Sequence, residues 1–565
     1  MDQEEVLREQ SGYRKRYSEG EGFPQSVASG DPTHSGAVLW TRVDPTIAEG
    51  IAGTILDQKR VWWTIAARKQ IPDRRAVQRV AEGKAVCLEV ALDPSFQQVV
   101  LRGFAPIWAD CDHVVQVDTD GLLQGRQHYW YRFITKDGHV SKTGHFRTLP
   151  APGEAIERLR IGQLTCQDYT LGYFSALRFL AEEEVDFFIH LGDYIYETPG
   201  QPEDPGYLRG VSLPDSDKAA HTLEDYRTLY RTYRSDPDLQ RLHERHAMIA
   251  IWDDHEYAND CYGSVAPDDT PTADADRRSA ANRAWHEYIP ARVQYDSTAP
   301  RGMRLQLYRA WTIGDLATLA ITDERLYRSS HPCGEGLVGE RIFSKGCPRQ
   351  FAPQQTMLGE QQRAWFLDLL TRATTSWKLW ANEVQLVPLR LFRRFLHMDA
   401  WDGFAGERRL LLEELSQRDL SGLIVLSGDL HAFEVNRIDK TTDSKQPLGV
   451  ELMVGSTTSR TFSESLDGWL SKKARPSQRL GIHALLPIVR MFFRQENPAI
   501  AAIDAKHHGY AILTLAHETA EWQAKIVSNL HDPDASCLPL WHVRLPGTDG
   551  KFDLQLLHDR QRFVI

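Results

Sequence analysis

The chain has 565 residues, too many for one hydrophobic core, so two or more domains are expected. Its formal net charge of −11 gives no global support to a nucleic-acid-binding surface. No apolar run is long enough to span a bilayer as a helix, and the start, Met1 to Glu21, is charged and lacks the apolar core of a signal peptide.

Turn signals divide the first part of the chain: Gly30-Asp31-Pro32, Asp93-Pro94-Ser95, Thr119-Asp120-Gly121 and Lys136-Asp137-Gly138. The run Tyr129 to Ile134 alternates as a strand with one buried face does. Together these predict a small all-β domain of immunoglobulin or fibronectin type over residues 22–150. Leu149-Pro150-Ala151-Pro152-Gly153 is a stiff connector. Beyond it, over residues 157–565, strands alternate with helices, and the expected class is α/β. Helical patterns fall at Tyr173 to Leu180, Glu360 to Arg372 and Gly406 to Leu415.

Four segments share one form, an apolar run followed by polar residues able to bind a cation. Leu159 to Thr165 leads into Cys166-Gln167-Asp168. Phe187-Phe188-Ile189-His190-Leu191 leads into Gly192-Asp193-Tyr194-Ile195-Tyr196. Met248 to Trp252 leads into Asp253-Asp254-His255-Glu256, and Leu423 to Ser427 leads into Gly428-Asp429-Leu430-His431. Buried strands read this way when their ends face a cleft, and open α/β sheets bind ligands at the carboxyl ends of their strands.

Ligand hardness sorts the donors. Asp193, Asp254 and Asp429 offer oxygen, which suits hard cations such as calcium, magnesium or manganese. A tyrosine, with its ordinary pKa near ~10, becomes a strong ligand only beside a highly charged cation. Cys166, Tyr196 and His431 therefore point to ferric iron, with Asp193 between the two ions. Zinc is the runner-up, although a tyrosine ligand and so many carboxylates are unusual for it.

Other candidates are weaker. His507-His508 is an adjacent pair, which on an extended chain points to opposite faces. His243 and His246 read as part of a solvated helix face, and Glu182-Glu183-Glu184 as exposed charge. Cys333 and Cys347, two of seven cysteines, flank a glycine-rich loop and would pair in an oxidising compartment, free thiols being the alternative.

Several of these segments resemble the alkaline phosphatase D (PhoD-type) family, related to purple acid phosphatases and other calcineurin-like metallophosphoesterases. The resemblance rests on Phe23 to Pro32, Val38 to Arg42, Cys166-Gln167-Asp168-Tyr169, the Gly-Asp-x-x-Tyr segment and Trp252 to Glu256. It extends to Thr356 to Gly359 with Gln362, Trp401-Asp402-Gly403, and Gly428 to His431. It implies a metallophosphoesterase sheet sandwich flanked by helices, active at alkaline pH on phosphate mono- and diesters, with Fe3+ and Ca2+. The second metal could also be Mn2+, Mg2+ or Zn2+. It further implies that Cys166, Asp254 and Asp429 stand where many metallophosphoesterases have Asp, Asn and His. Family members are often exported by the twin-arginine route, so the expected location is periplasmic or secreted if a leader has been removed, and cytoplasmic otherwise. Two wordings depart from the family: His508-Gly509-Tyr510, and Ile321-Thr322-Asp323-Glu324-Arg325. They bear on substrate rather than on the metal centre. Residues 51–86 and 467–498 read as insertions that could reshape the cleft mouth.

Two cations ~3.5–4 Å apart can clamp a phosphate and lower the pKa of a bound water, so no side-chain nucleophile is needed. His255 is the expected general acid or phosphate contact, the alternative being a residue that orients the ligands from behind. Arg325 is the expected planar clamp on a phosphate oxygen, the alternative being a structural salt bridge at a strand end. Two other functions fit the same residues. One is a phospholipase D-like diesterase cutting lipid head groups. The other is a binding protein whose β-sandwich works beside an inactive phosphatase-like domain.

Overall fold

The computed structural model describes residues 12–53, 63–64, 74–203, 206–269, 272–418, 420–440, 446–473, 488–556 and 562–564. Much of the two expected insertions, 51–86 and 467–498, lies outside the described residues.

The four apolar runs form strands. Leu159–Leu164, Phe187–Leu191 and Met248–Ile251 lie side by side and parallel. The last two are buried at every position, which is why they read as continuous apolar runs rather than alternating ones. They sit inside a ten-stranded sheet. On one side, Gly509–Leu515 pairs antiparallel with Leu159–Leu164, and Ala520–Val527, Cys537–Leu545 and Asp553–Leu556 continue outward.

The fourth run, Leu423–Ser427, belongs to a second, eight-stranded sheet. There Ala317–Ile321, Trp377–Ala381, Leu423–Ser427 and Pro447–Met453 run parallel. Alternate residues of this sheet face opposite ways. Leu319, Leu379, Ile424 and Leu426 join a core with Leu164, Ile189 and Ile249 of the first sheet. Ala320, Trp380 and Val425 pack instead with Phe366 and Leu370 of helix Gly359–Arg372 and with Leu411 and Leu415 of helix Ala405–Gln417. The result is a mixed α/β sandwich of two sheets with helices outside. Among the described residues no helix is long and apolar enough to cross a membrane.

The N-terminal part is β-rich as expected, but its strands divide between two sheets. Trp63–Thr64, Val99–Pro106, Ala85–Ala91, His128–Thr135 and Gly144–Arg147 form a five-stranded antiparallel sheet. Val27–Gly30, Val38–Arg42 and Val114–Asp118 instead extend the ten-stranded sheet, through a parallel bridge of Gly30 to Met248. A side chain at Gly30 would meet the Pro290 carbonyl oxygen at 2.0 Å, so this approach needs glycine. The region is therefore not the self-contained pair of sheets of an immunoglobulin-type sandwich; it borrows its neighbour's sheet.

Cys333 and Cys347 form a disulfide, and Cys87, Cys111, Cys166, Cys261 and Cys537 take part in none.

Several histidines are buried neutral. His190, inside the Phe187–Leu191 strand, makes no hydrogen bond through either ring nitrogen, and burial pushes its pKa down to about 3. Burial likewise takes His246 and His286 to about 4. The unfolded chain binds protons near ~6.5 that these folded sites refuse, so stability falls as pH drops from there toward the folded values. The melting temperature is expected to decline from about pH 7 to about pH 4.5, and less steeply in His190→Gln. Equal slopes in the two proteins would exclude His190 as a contributor.

Candidate metal centre

The strand ends bring their polar residues to one place. The Cys166 thiol, the Asp193 carboxylate and the His431 ring offer atoms within 4.8 Å of one another. Tyr196 joins them: its Oη donates to Asp193 Oδ2 at 2.8 Å and lies 3.3 Å from His431 Nε2. Asp193 also groups with Asp254 and His255, and Asp254 groups with Asp253 and Asp429, each within the same 4.8 Å. Asp193 thus stands between a thiol, phenol and imidazole set and an all-carboxylate set. Two further groups adjoin, His397 with Asp399 and Asp429, and Asp260 with His331 and Asp399.

The backbone at these positions is unusual. Cys166, Asp193, Asp429 and His431 have φ of 54°, 56°, 65° and 59°, a left-handed conformation that side chains disfavour. Each lies just past a strand, where the chain must turn sharply to aim its side chain at the shared cluster. The surroundings hold these turns. Glu256 accepts the backbone N–H groups of Asp193 at 3.0 Å, Tyr194 at 2.7 Å and Asp253 at 2.8 Å, tying two strand ends together. Ser459 Oγ donates to the Cys166 carbonyl at 2.9 Å, and the N–H of Thr457 reaches the same oxygen at 3.1 Å. Gly192, with φ of 96°, cannot carry a side chain, because a Cβ would fall 2.4 Å from that of Asp253.

The charges fit cations. Oδ2 of Asp253 and of Asp429 are buried acceptors without a hydrogen-bond donor. Burial lifts the pKa of Asp193, Asp253 and Asp429 well above the carboxylate range, and neighbouring aspartates add to it. Burial and the Asp193 charge likewise raise Cys166 and Tyr196. A bound cation would relieve each of these penalties. His431 is prepared as a ligand. Its Nδ1–H donates to the Arg460 carbonyl at 2.6 Å, and burial holds its pKa near about 4, which leaves a neutral ring with the Nε2 lone pair free.

Arg325 is fully buried, and its fork is already engaged. Nε pairs with Asp253, Nη1 with Asp399, and Nη2 lies 3.3 Å from Asp429 and 3.8 Å from Asp254. The planar donors expected to meet a phosphate are directed at four carboxylates. Burial raises the pKa of Asp254, but Arg325 and His255 outweigh it and hold this carboxyl below its usual value. His255 is half-buried, its Nδ1 2.7 Å from Glu197 Oε2 and its ring centroid 4.1 Å from that of Tyr196. Burial opposes its charge, but Glu197, Asp254 and Asp193 outweigh burial and raise its pKa well above the ordinary value.

Sequence reasoning left some participants unassigned. Asp253 and Glu256 stand inside the polar run that follows Met248 to Trp252. His331, His397 and Asp399 follow no parallel strand and carried no such signal. His243 and His246, expected on a solvated face, are buried; His243 Nε2 lies 2.8 Å from Tyr194 Oη, because helix Pro237–Arg245 packs on helix Ser175–Ala181 and on the N-terminal strands. His507 and His508 do point apart, one to Asp504 and the other to Ser456 and Glu464.

Comparison with known proteins shows the family. A family model described as PhoD-like phosphatase matches residues 161–525, and one described as its N-terminal domain matches residues 8–150. Alkaline phosphatase D of Bacillus subtilis (strain 168) is 32% identical over 445 residues, covering 77% of this chain and 69% of the relative. A solved structure titled "Structure of PhoD" superposes with a TM-score of 0.77 at 26% identity, covering 97% of this chain and 95% of that one. The class on which these agree is the phosphoric ester hydrolases. The chain belongs to the PhoD-like phosphatase family.

Glu256 has a measurable role. Each backbone N–H left without its acceptor costs about 1–3 kcal/mol, so Glu256→Ala is expected to lower both the melting temperature and the bound-metal content. Unchanged values of both would show that the turn at Asp193 does not depend on it.

Proposed function

We propose that the protein hydrolyses phosphate mono- and diesters with a water activated at a mixed centre of ferric iron and a calcium-type cation. The observation that carries this is the position of Asp193, whose carboxylate groups with Cys166 and His431 on one side and with Asp254 on the other. In this reading Cys166, Tyr196, His431 and Asp193 hold the iron, and Asp193, Asp254 and Asp429 hold the harder cation. Mn2+, Mg2+ or Zn2+ could occupy the second position. When bound, the pair supplies Lewis acidity that neutralises phosphate charge and lowers the pKa of a water. The family models at 8–150 and 161–525 support a division into an N-terminal part, 22–150, and a catalytic part, 157–565.

The chain's own groups do the rest. His255, kept protonated by Glu197, gives its proton to the departing ester oxygen. Glu197 fixes the ring through Nδ1, so the remaining N–H is the one available for transfer. Arg325 is a positioning residue: it spreads one positive charge over Asp253, Asp254, Asp399 and Asp429 and so allows them to stay close together. Cys166, buried among ligand groups, is withdrawn from nucleophilic work.

Elemental analysis of the purified protein is expected to find iron and a divalent cation. Phenolate and thiolate on ferric iron should colour it, and Tyr196→Phe should shift the visible band. A colourless, iron-free and fully active preparation would overturn the iron assignment.

The acid role has a pH signature. A general acid contributes roughly 10²–10⁴-fold, so His255→Ala should lower kcat within that range. Activity should fall as pH rises through the His255 pKa. Removing the Glu197 charge lowers that pKa, so in Glu197→Gln the alkaline limb of the kcat profile should move to lower pH. An unmoved limb would rule His255 out as the proton donor.

A further inference from the structure

The disulfide Cys333–Cys347 closes a loop that reaches the carboxylate side of the centre by three routes. The first runs through Arg341, which is buried. Its Nη1 donates to Asp260 and its Nη2 to Asp268. Asp260 sits in the left-handed region with φ of 53°, and its backbone N–H donates to Asp254 Oδ2 at 2.6 Å. Arg341 thus holds the turn that orients a proposed cation ligand.

The second route is main chain. Strand Ile342–Ser344 pairs antiparallel with Arg394–His397, Ile342 opposite His397 and Ser344 opposite Phe395. The Arg341 carbonyl accepts the N–H of Met398 at 2.8 Å. These bonds fix the chain on both sides of His397 and lead directly to Asp399, two residues that group with Asp429. The third route is a relay of side chains. Glu335 lies 2.5 Å from His331 Nδ1, and His331 Nε2 lies 2.6 Å from Asp399 Oδ1. Among the described residues, no hydrogen bond runs from residues 333–347 to Cys166, Tyr196 or His431.

We propose that this disulfide-closed loop positions the hard-cation side of the centre, so that the redox state of Cys333 and Cys347 sets how tightly that side holds a divalent cation. The inference rests on the two-cation reading above. Both cysteines are half-buried, and a dithiol reductant is the probe that opens their bridge. Such a reductant supplies two electrons and two protons. The sulfur–sulfur bond breaks, each cysteine becomes a thiol, and the reductant closes to its own disulfide. The freed loop then no longer confines Arg341, Glu335 and strand Ile342–Ser344 together, and the carboxylates they orient lose their common geometry. Groups that orient ligands from outside typically change metal affinity by about 10–100-fold when removed.

The test is calorimetric titration of calcium into holoprotein from which a mild chelator has removed divalent cations. It compares oxidised wild type, Cys333→Ser/Cys347→Ser, and Arg341→Lys, which keeps the charge but cannot bridge Asp260 and Asp268. Calcium affinity is expected to fall about 10–100-fold in both variants, with iron content and the visible band unchanged. Wild type treated with a dithiol should show the same loss and recover on reoxidation. Equal calcium affinity in all forms would overturn the proposal, as would parallel loss of iron and calcium, the mark of general unfolding. Oxidised wild type that binds no divalent cation would overturn the two-cation reading itself, and the proposal with it.

Discussion

Carboxylates gathered within a few ångströms and withdrawn from water repel one another strongly, because the interior screens their charge poorly. Asp193, Asp253 and Asp254 are in that position, with the half-buried Asp429 beside them. The fold answers most directly with Arg325, a fully buried cation that touches three of them and Asp399 as well. One guanidinium cannot balance so many acids, and the cluster keeps buried oxygens with no donor. Much of the architecture follows from this imbalance. The strands bring the acids together, the arginine makes the arrangement tolerable, and the remaining negative charge draws cations in.

Geometry is fixed from outside the cluster. Left-handed turns at four proposed ligands are conformations the chain would leave if nothing held it. Glu256 clamps one pair of strand ends, Ser459 and Thr457 clamp Cys166, and Arg460 holds His431 through its carbonyl. The two sides of the centre are supported by different segments, 456–460 behind the thiol and imidazole, and 333–347 behind the carboxylates. Separate supports would allow the two proposed cations to be held with different firmness.

Much of this was legible in the sequence. The runs at 187–191 and 423–427 became strands with those limits, because burial on both faces leaves an unbroken apolar signature. The polar residues after them meet although the two strands belong to different sheets, because those sheets pack on one shared core. Helix Gly359–Arg372 likewise followed its apolar repeat. Three things were not legible. Arg325 stood in a recognisable motif, but nothing local tells a fork meant for phosphate from one engaged by aspartates. His397 ends a strand of an antiparallel hairpin and Asp399 lies just after it, without the run-then-polar signature. The parallel bridge of Gly30 to Met248 joins segments far apart in the chain, and short strands carry no label saying which sheet they will enter.

That bridge bears on how the enzyme can be dissected. Cutting the chain near residue 150 would separate two sequence-defined halves but tear one sheet, removing Val27–Gly30 from beside Met248–Ile251. The truncated piece would expose a raw, apolar edge whose main-chain donors and acceptors invite pairing with other copies. A shortened version is therefore expected to be a poor reagent, because in the intact chain the leading segment covers that edge.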